Sequence, residues 1–297
     1  MKKVSVIIPF YNSASSLRDC LGALQTQTYP PADFEVIAID NASTEEVARI
    51  KADYPGVRWM FESRPGAYHA RNHGIRHATG EIIALTDADC IPSPSWLEEA
   101  VAALQNTRAT IVAGRIDYLE PAGRELNVCE LFEEKFFLLS RHRYLVEQLG
   151  VVATANVVTF RAVFDRTGFF DSRLMSFGDG EWALRATSKG EVLRYADLAL
   201  VRHPRRGTFR EVLRKSRRLA GDKVVLLRQK KEGAARLAAD LYQYSILNPR
   251  VHLCALFFPK LKGFSRRLEM FAVVEFISFA NTAEKIRVLL GGGAYRG

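Results

Sequence analysis

The stretch Glu81-Ile82-Ile83-Ala84-Leu85-Thr86-Asp87-Ala88-Asp89 decides the fold. Residues 81–86 are a short apolar run of the kind that forms a buried strand. Two carboxylates, Asp87 and Asp89, follow at its C-terminal end. Like charges at that spacing are costly to hold together without a cation. A hard divalent ion, Mn²⁺ or Mg²⁺, accepts such oxygens and shares itself with substrate phosphates. An isolated D-x-D is usually a solvated turn. Here it ends an apolar strand, and Asp40 ends an earlier one.

Upstream, Val4–Phe10 reads as a buried strand, with a turn at Tyr11-Asn12-Ser13. Ser16 and Asp19 resemble a capping box for a helix that buries Leu17, Leu21 and Leu24, and Tyr29-Pro30-Pro31 ends it. Residues 34–39 are a second strand, closed by Asp40-Asn41-Ala42-Ser43. Ser43 and Glu46 form a capping box for the next helix, with Val47 and Ile50 inward. Residues 57–61 read as a third strand and 67–77 as a helix. Downstream, Ser93-Pro94 starts a helix with Leu97, Ala100, Val101 and Leu104 inward, and 111–114 is a fifth strand. Such alternation predicts a mostly parallel sheet with helices on both faces. Ligands of these sheets bind beyond the carboxyl ends of the strands, where Asp40, Asp87 and Asp89 fall.

From about Leu126 the pattern changes: 130–149 reads as a helix, 156–160 as a short strand, and 177–190 as a helix opening on Phe177-Gly178-Asp179-Gly180-Glu181-Trp182. Glycines beside Asp179 let backbone approach a ligand, while Glu181 and Arg185 alone make an ordinary i, i+4 pair. Arg71, in Ala70-Arg71-Asn72-His73-Gly74, faces a nucleotide or is a plain surface arginine. Of the six histidines, His203 is the candidate ligand. The others read as surface or packing residues.

The chain has 297 residues, 48% of them apolar, enough for one large α/β domain and an appendage. Cys20, Cys90, Cys129 and Cys254 form no C-x-x-C pair, which argues against a zinc ribbon, a dithiol site or a disulfide framework and fits a reduced, cytoplasmic compartment. The first residues lack a signal-peptide core, and no apolar run is long enough to span a bilayer. Between Arg205 and Lys231, eleven basic residues face only Glu211 and Asp222, an excess equal to the net charge of +9. That concentration suggests a polyanionic partner.

Taken in order, these segments resemble glycosyltransferase family 2, the inverting family with the GT-A fold. Residues 4–12 are similar to its first strand and nucleotide loop, and 34–44 to its second strand and D-D-G-S-T turn. Ala70-Arg71-Asn72-His73-Gly74, residues 78–81 and Asp87-Ala88-Asp89 match its A-R-N-x-G, A-x-G-E and D-x-D block. Ala155-Asn156-Val157, Gly168-Phe169-Phe170-Asp171 and Gly178-Asp179-Gly180-Glu181 with Arg185 match its acceptor-side motifs. The likeness covers about 4–204.

The resemblance implies a Rossmann-like, mostly parallel mixed sheet flanked by helices. Residues 1–204 would be the catalytic domain, with a nucleotide-sugar half to about 115 and an acceptor half to 204, and 205–297 a basic, amphipathic helical extension. It implies that Pro9, Tyr11, Asp40, Arg71, Asp87 and Ala88 bind the nucleotide-sugar, that Asn156 and Glu181 face the acceptor, that Asp89 and His203 hold Mn²⁺ or Mg²⁺, and that Asp179 is the general base. The implied reaction moves a sugar from a nucleoside-diphosphate sugar, UDP by default, to a hydroxyl of a glycan or lipid-linked acceptor in polysaccharide or lipid-linked glycan synthesis.

Two departures stand out. Asn41 replaces the family's second Asp, which loosens the expectation for base identity, and Gly178 replaces the acid beside Asp179, which lowers the Asp179 pKa relative to relatives.

The basic extension is expected to touch an anionic cytoplasmic membrane face peripherally, or to mediate oligomerisation. Nucleic acid is not expected, because the basic run lacks interleaved aromatics. The alternatives are an inactive nucleotide-sugar-binding or membrane-associated module, or a nucleotidyltransferase, whose Gly-rich basic loop is missing after the first strand.

Overall fold

An apolar run without polar alternation needs cover on both faces, and Val4–Phe10 forms a central strand, β1, buried at every position. In this computed structural model the described residues are 2–45, 47–229, 253, 257–293 and 295. The elements that follow β1 are α1 (Ala14–Gln25), β2 (Phe34–Asp40), α2 (Ala48–Asp53), β3 (Arg58–Phe61), α3 (Ala67–His77), β4 (Ile82–Leu85), β5 (Ile91–Pro92), α4 (Trp96–Asn106) and β6 (Ile111–Tyr118). Then come α5 (Val128–Phe136), α6 (His142–Leu149), β7 (Val157–Phe160), α7 (Arg161–Thr167), α8 (Gly178–Ser188), β8 (Leu193–His203), α9 (Phe209–Gln229) and α10 (Phe264–Leu289).

The strands form one eight-stranded sheet in the order β3-β2-β1-β4-β7-β6-β8-β5. Pairs β1/β2, β2/β3, β1/β4 and β6/β8 are parallel, whereas β4/β7, β6/β7 and β5/β8 are antiparallel. Alternation at β1 separates the two faces. Val4, Val6, Ile8 and Phe10 join a core with Leu17 and Leu21 of α1 and Leu97 and Val101 of α4. Ile7 and Ile39 instead meet α3, where Gly74 lets the helix lie close: a Cβ there would stand 2.8 Å from each.

The chain divides into two compact units: residues 1–119, 138–173 and 178–204, and residues 120–137, 174–177 and 205–297. The first holds the sheet. The second is built around Val128, Leu131 and Phe132 of α5, Val212 of α9, and Met270, Val274 and Ile277 of α10. The family resemblance places residues 120–137 in an acceptor half within 1–204. They group with the C-terminal helices because the apolar face of α5 finds its core there.

Other expectations change as well. The helix expected over 130–149 is two helices, α5 and α6, broken by a 3-10 turn at Leu138–Arg141. Ser16 lies inside α1, which begins at Ala14, and the Ala14 N–H is satisfied by Glu45 Oε1 at 2.7 Å. Ser43 caps no helix: α2 begins at Ala48, and Ser43 Oγ accepts from Asn12 N–H. Its proposed partner Glu46 lies outside the described residues. Strand β8 has no clear sequence signature because exposed and half-buried residues such as Arg194 and Asp197 interrupt its apolar positions.

The basic run is largely committed within the second unit. Arg206 and Lys215 hold Glu133, which has no exposure, at 2.6 and 3.1 Å. Arg205 reaches Glu120 and Glu134, Arg217 reaches Glu284, and Arg218 donates to Ser176 Oγ. Lys230 and Lys231 lie outside the described residues. Among the described residues no helix is long and apolar enough to cross a membrane.

Candidate active site

Register places the loops after β1, β2 and β4 together, since Phe10 pairs with Asp40 and Ile7 with Leu85. Asp40 is almost fully buried, and its Oδ1 accepts the Ser43 N–H at 2.8 Å. Asn12 Oδ1 accepts the N–H groups of Thr44 and Glu45 at 2.8 and 3.3 Å. Asn12 and Ala42 adopt φ of 47° and 64°. Asn tolerates that left-handed region, but Ala there costs about 1–2 kcal/mol, which the surrounding hydrogen bonds must offset. Tyr11 is exposed above this floor, and Pro9 is buried in β1 beneath it.

Asn41 explains its own departure from the family pattern. Its Nδ2 donates to the carbonyls of Glu62 and Arg64 at 3.0 and 2.7 Å, and its Oδ1 accepts the Gly66 N–H at 2.8 Å. An amide supplies both a donor and an acceptor; an ionised carboxylate supplies only acceptors. The position therefore clamps the 62–66 loop. In that loop Arg64 grips Glu62 at 2.9 and 2.8 Å, and this pairing foremost, with His73 adding a hydrogen bond, holds the Glu62 carboxyl down at about 2.

A second line of groups starts at Asp87. Arg71 of α3, 5% exposed, forms an ion pair with it and lies 5.5 Å from the Tyr68 ring centroid. Arg71 Nε is buried without a hydrogen-bond partner among the described residues. The Tyr68 hydroxyl donates to Asp179 Oδ1 at 3.2 Å and accepts the Asp179 backbone N–H at 3.2 Å. Thr154 and Gly180 N–H groups donate to the same carboxylate at 3.1 and 2.9 Å. Desolvation outweighs these donors and the Arg71 charge, so the Asp179 carboxyl lies above its ordinary value. The Tyr68 ring fills the space beside Gly178: a Cβ on residue 178 would stand 2.7 Å from it.

Behind Thr154 stands His142, 1% exposed, whose Nδ1–H donates to the Gly114 carbonyl at 2.7 Å and whose Nε2 accepts the Ala153 N–H at 3.0 Å. Burial drives its pKa down to about 4, so it is neutral near pH 7 and holds both bonds. The sequence reading left His142 as a packing residue and missed Tyr68 altogether. The one available signal for Tyr68 was its i, i+3 relation to Arg71 on α3.

The metal candidates converge. Ligand atoms of Asp87, Asp89, Cys90 and His203 lie within 4.8 Å of one another. His203, at the end of β8, donates Nδ1–H to the Pro204 carbonyl at 2.6 Å, which turns Nε2 toward Asp89 Oδ1 at 3.7 Å. With Nε2 unprotonated, two acceptors face each other, an arrangement suited to a divalent cation between them. Ala88, between the two acids, is buried.

Two residues expected to face an acceptor are occupied elsewhere. Asn156 has no exposure: its Oδ1 accepts from Trp96 Nε1, and its Nδ2 donates to the carbonyls of Arg115 and Ala199, all at 2.8 Å. It ties β6 and β8 together. Glu181 binds Arg185 at 2.7 and 3.0 Å, and Arg185 in turn holds the Thr167, Gly168 and Phe169 carbonyls.

Known proteins resemble this chain in sequence and in fold. The sequence profile of Glycosyl transferase family 2 matches residues 5–168. Glycosyltransferase AglE of Haloferax volcanii is 35% identical over 221 residues, which is 73% of this chain and 71% of AglE. The mannosyltransferase PcManGT from Pyrobaculum calidifontis, solved with GDP-Man and Mn²⁺, superposes with a TM-score of 0.64 at 21% identity, covering 96% of this chain and 87% of that one. Residues 1–349 of TarS from S. aureus, solved with UDP, give a TM-score of 0.54 at 18% identity over 98% of this chain and 92% of that one. The GT-A-like architecture expected from the sequence is the one observed.

Proposed function

The chain belongs to glycosyl transferase family 2 and is a nucleotide-sugar-dependent glycosyltransferase, and from that premise we propose an inverting transfer in which Asp179 is the general base. The acceptor hydroxyl gives its proton to an Asp179 carboxylate oxygen. The acceptor oxygen bonds to the anomeric carbon from the side opposite the nucleotide. The bond from that carbon to the diphosphate oxygen breaks, and its electron pair leaves with the nucleoside diphosphate. One displacement inverts configuration and needs one base.

The observation that carries this reading is the continuous line Asp87–Arg71–Tyr68–Asp179. It links the end of β4, where a diphosphate would lie, to a half-buried carboxylate of raised basicity. Asp40, Tyr11 and the buried Pro9 beneath them would form the nucleoside floor, and Arg71 with Asp87 and Ala88 would meet ribose and diphosphate. Mn²⁺ or Mg²⁺ held by Asp89 and His203 Nε2 would supply electrostatic stabilisation of the departing diphosphate.

The catalytic role is assigned to the sheet-bearing unit within residues 1–204, and acceptor access to the unit that joins residues 120–137 and 174–177 to 205–297. The favoured donor is a UDP-sugar. The acceptor is a growing polysaccharide or lipid-linked glycan, met at the cytoplasmic membrane face. The excess of basic residues in the extension supports this location, with self-association through the extension as the alternative.

General-base catalysis is typically worth ~10²–10⁴-fold. Asp179→Asn should lower turnover of a labelled nucleotide-sugar by about that factor and leave nucleotide-dependent thermal stabilisation intact. Wild-type turnover in this variant would remove Asp179 from the role.

A further inference from the structure

Helix α10 is apolar on two sides. One side buries Met270, Val274, Ile277 and Val288. On the other, Phe264, Leu268, Phe276, Phe279, Ile286 and, one residue past the helix end, Leu290 are 46–84% exposed. Exposed Ala272 and Ala283 fill the gaps in this series. The intervals of three and four residues keep the whole set on one face at 3.6 residues per turn. The row runs for ~39 Å at 1.5 Å per residue. A contiguous apolar strip of that length on a water-exposed surface marks a contact site.

A groove of about 310 Å³ between α9 and α10 widens the strip, lined by Leu213, Arg217, Phe276, Phe279, Ala283 and Arg287 among others. Arg210 and Arg214 of α9 are exposed within one turn of Leu213, and Lys262 is exposed just before α10. Exposed Glu211 of α9 and Glu269 of α10, with half-buried Glu275, oppose them, whereas Glu284 is held by Arg217 and Arg287. The second unit, residues 120–137, 174–177 and 205–297, contains twenty-two Lys and Arg against twelve Asp and Glu. Two copies of this chain meeting here would bring like charges together. An anionic bilayer accepts both the apolar row and the cations beside it.

We infer that the outer face of α10, with the groove it shares with α9, is the surface by which the chain lies on an anionic phospholipid bilayer. The inference rests on the membrane location proposed above and moves its anchor. The Arg205, Arg206, Lys215 and Arg217 side chains are bound to acids within their own unit, so the aromatic face of α10 and the exposed arginines of α9 make the contact.

The test is flotation of the full chain with phosphatidylcholine vesicles, with and without phosphatidylglycerol. It is run on the wild type, on the double variant Phe276→Ser/Phe279→Ser and on Arg210→Glu/Arg214→Glu. The wild type should float with the phosphatidylglycerol vesicles, and each double variant should bind them at least tenfold more weakly. Nucleotide-dependent thermal stabilisation of the same variants should stay at the wild-type value, which separates a failed docking surface from a failed donor site. Wild-type protein that stays at the bottom with both vesicles overturns the inference. So do variants that float as the wild type does. A wild type that elutes as a dimer, with Phe276→Ser/Phe279→Ser eluting as a monomer, also overturns it by assigning the face to a second copy.

Discussion

The hydroxyl of Tyr68 lies 3.2 Å from Asp179 Oδ1 and 3.2 Å from the Asp179 backbone nitrogen, so one tyrosine fixes both the carboxylate and the start of the helix that carries it. Burial raises the Asp179 carboxyl, while Thr154, Arg71, Gly180 and Tyr68 draw it down. A base works ionised, so activity falls as pH drops through its pKa. Tyr68→Phe removes one of the downward pulls. The acid limb of the kcat/KM profile should therefore move to higher pH, with a smaller loss at alkaline pH than Asp179→Asn shows. Profiles that superimpose would mean that Tyr68 does not tune the base.

Restoring the family's usual acid at residue 41 should harm this chain. Asn41→Asp points a carboxylate at the Glu62 and Arg64 carbonyls, both of which now accept from the Asn41 amide. Leaving buried partners unpaired costs about 1–3 kcal/mol, which urea unfolding would detect. Nucleotide affinity should fall with it, because the 62–66 loop borders Asp40 through the Glu62 N–H to Asp40 carbonyl bond at 2.9 Å. Unchanged stability would show that the clamp is dispensable.

Glu62 predicts an acid-sensitive contribution of fixed sign. Its carboxyl is lowered from 4.5 to about 2, chiefly by Arg64. The unfolded chain thus takes up its proton first, and the stability Glu62 adds is present above 4.5 and fades as pH falls toward about 2. The stability difference between wild type and Glu62→Gln should be constant above that window and shrink within it. Urea unfolding of both proteins across the range measures this difference, and a gap that widens on acidification would contradict the assignment.

Where a residue's role depends on its place along a strand or helix, the sequence was a good guide. The unbroken apolar runs of β1, β2 and β4 located the sheet, and Asp40, Asp87 and Asp89 stand at or just past the ends of those strands, where the sequence pattern puts them. His203 was reached through its position after an apolar stretch. Roles that depend on a partner far along the chain were not legible. Tyr68 meets Asp179 across 111 residues, and Asn156 uses its amide on Trp96 and on the β6 and β8 backbones, which no local spacing reveals. The grouping of residues 120–137 with the C-terminal helices follows from the shared core around Phe132 and Met270, a long-range packing choice.

The site proposed at Asp87, Asp89 and His203 is a metal-assisted nucleotide-sugar site. Thermal denaturation with UDP, GDP, dTDP or CDP, each with Mn²⁺ and again with EDTA, tests it most directly. A ligand at about 100 times its Kd stabilises by about 2.7 kcal/mol, roughly 5–10 °C for a chain of this size. One nucleotide should raise the midpoint by that order with Mn²⁺, and the rise should vanish in EDTA and in Asp89→Asn. No shift with any nucleotide, or a shift that survives both EDTA and Asp89→Asn, would rule out a metal-assisted donor site.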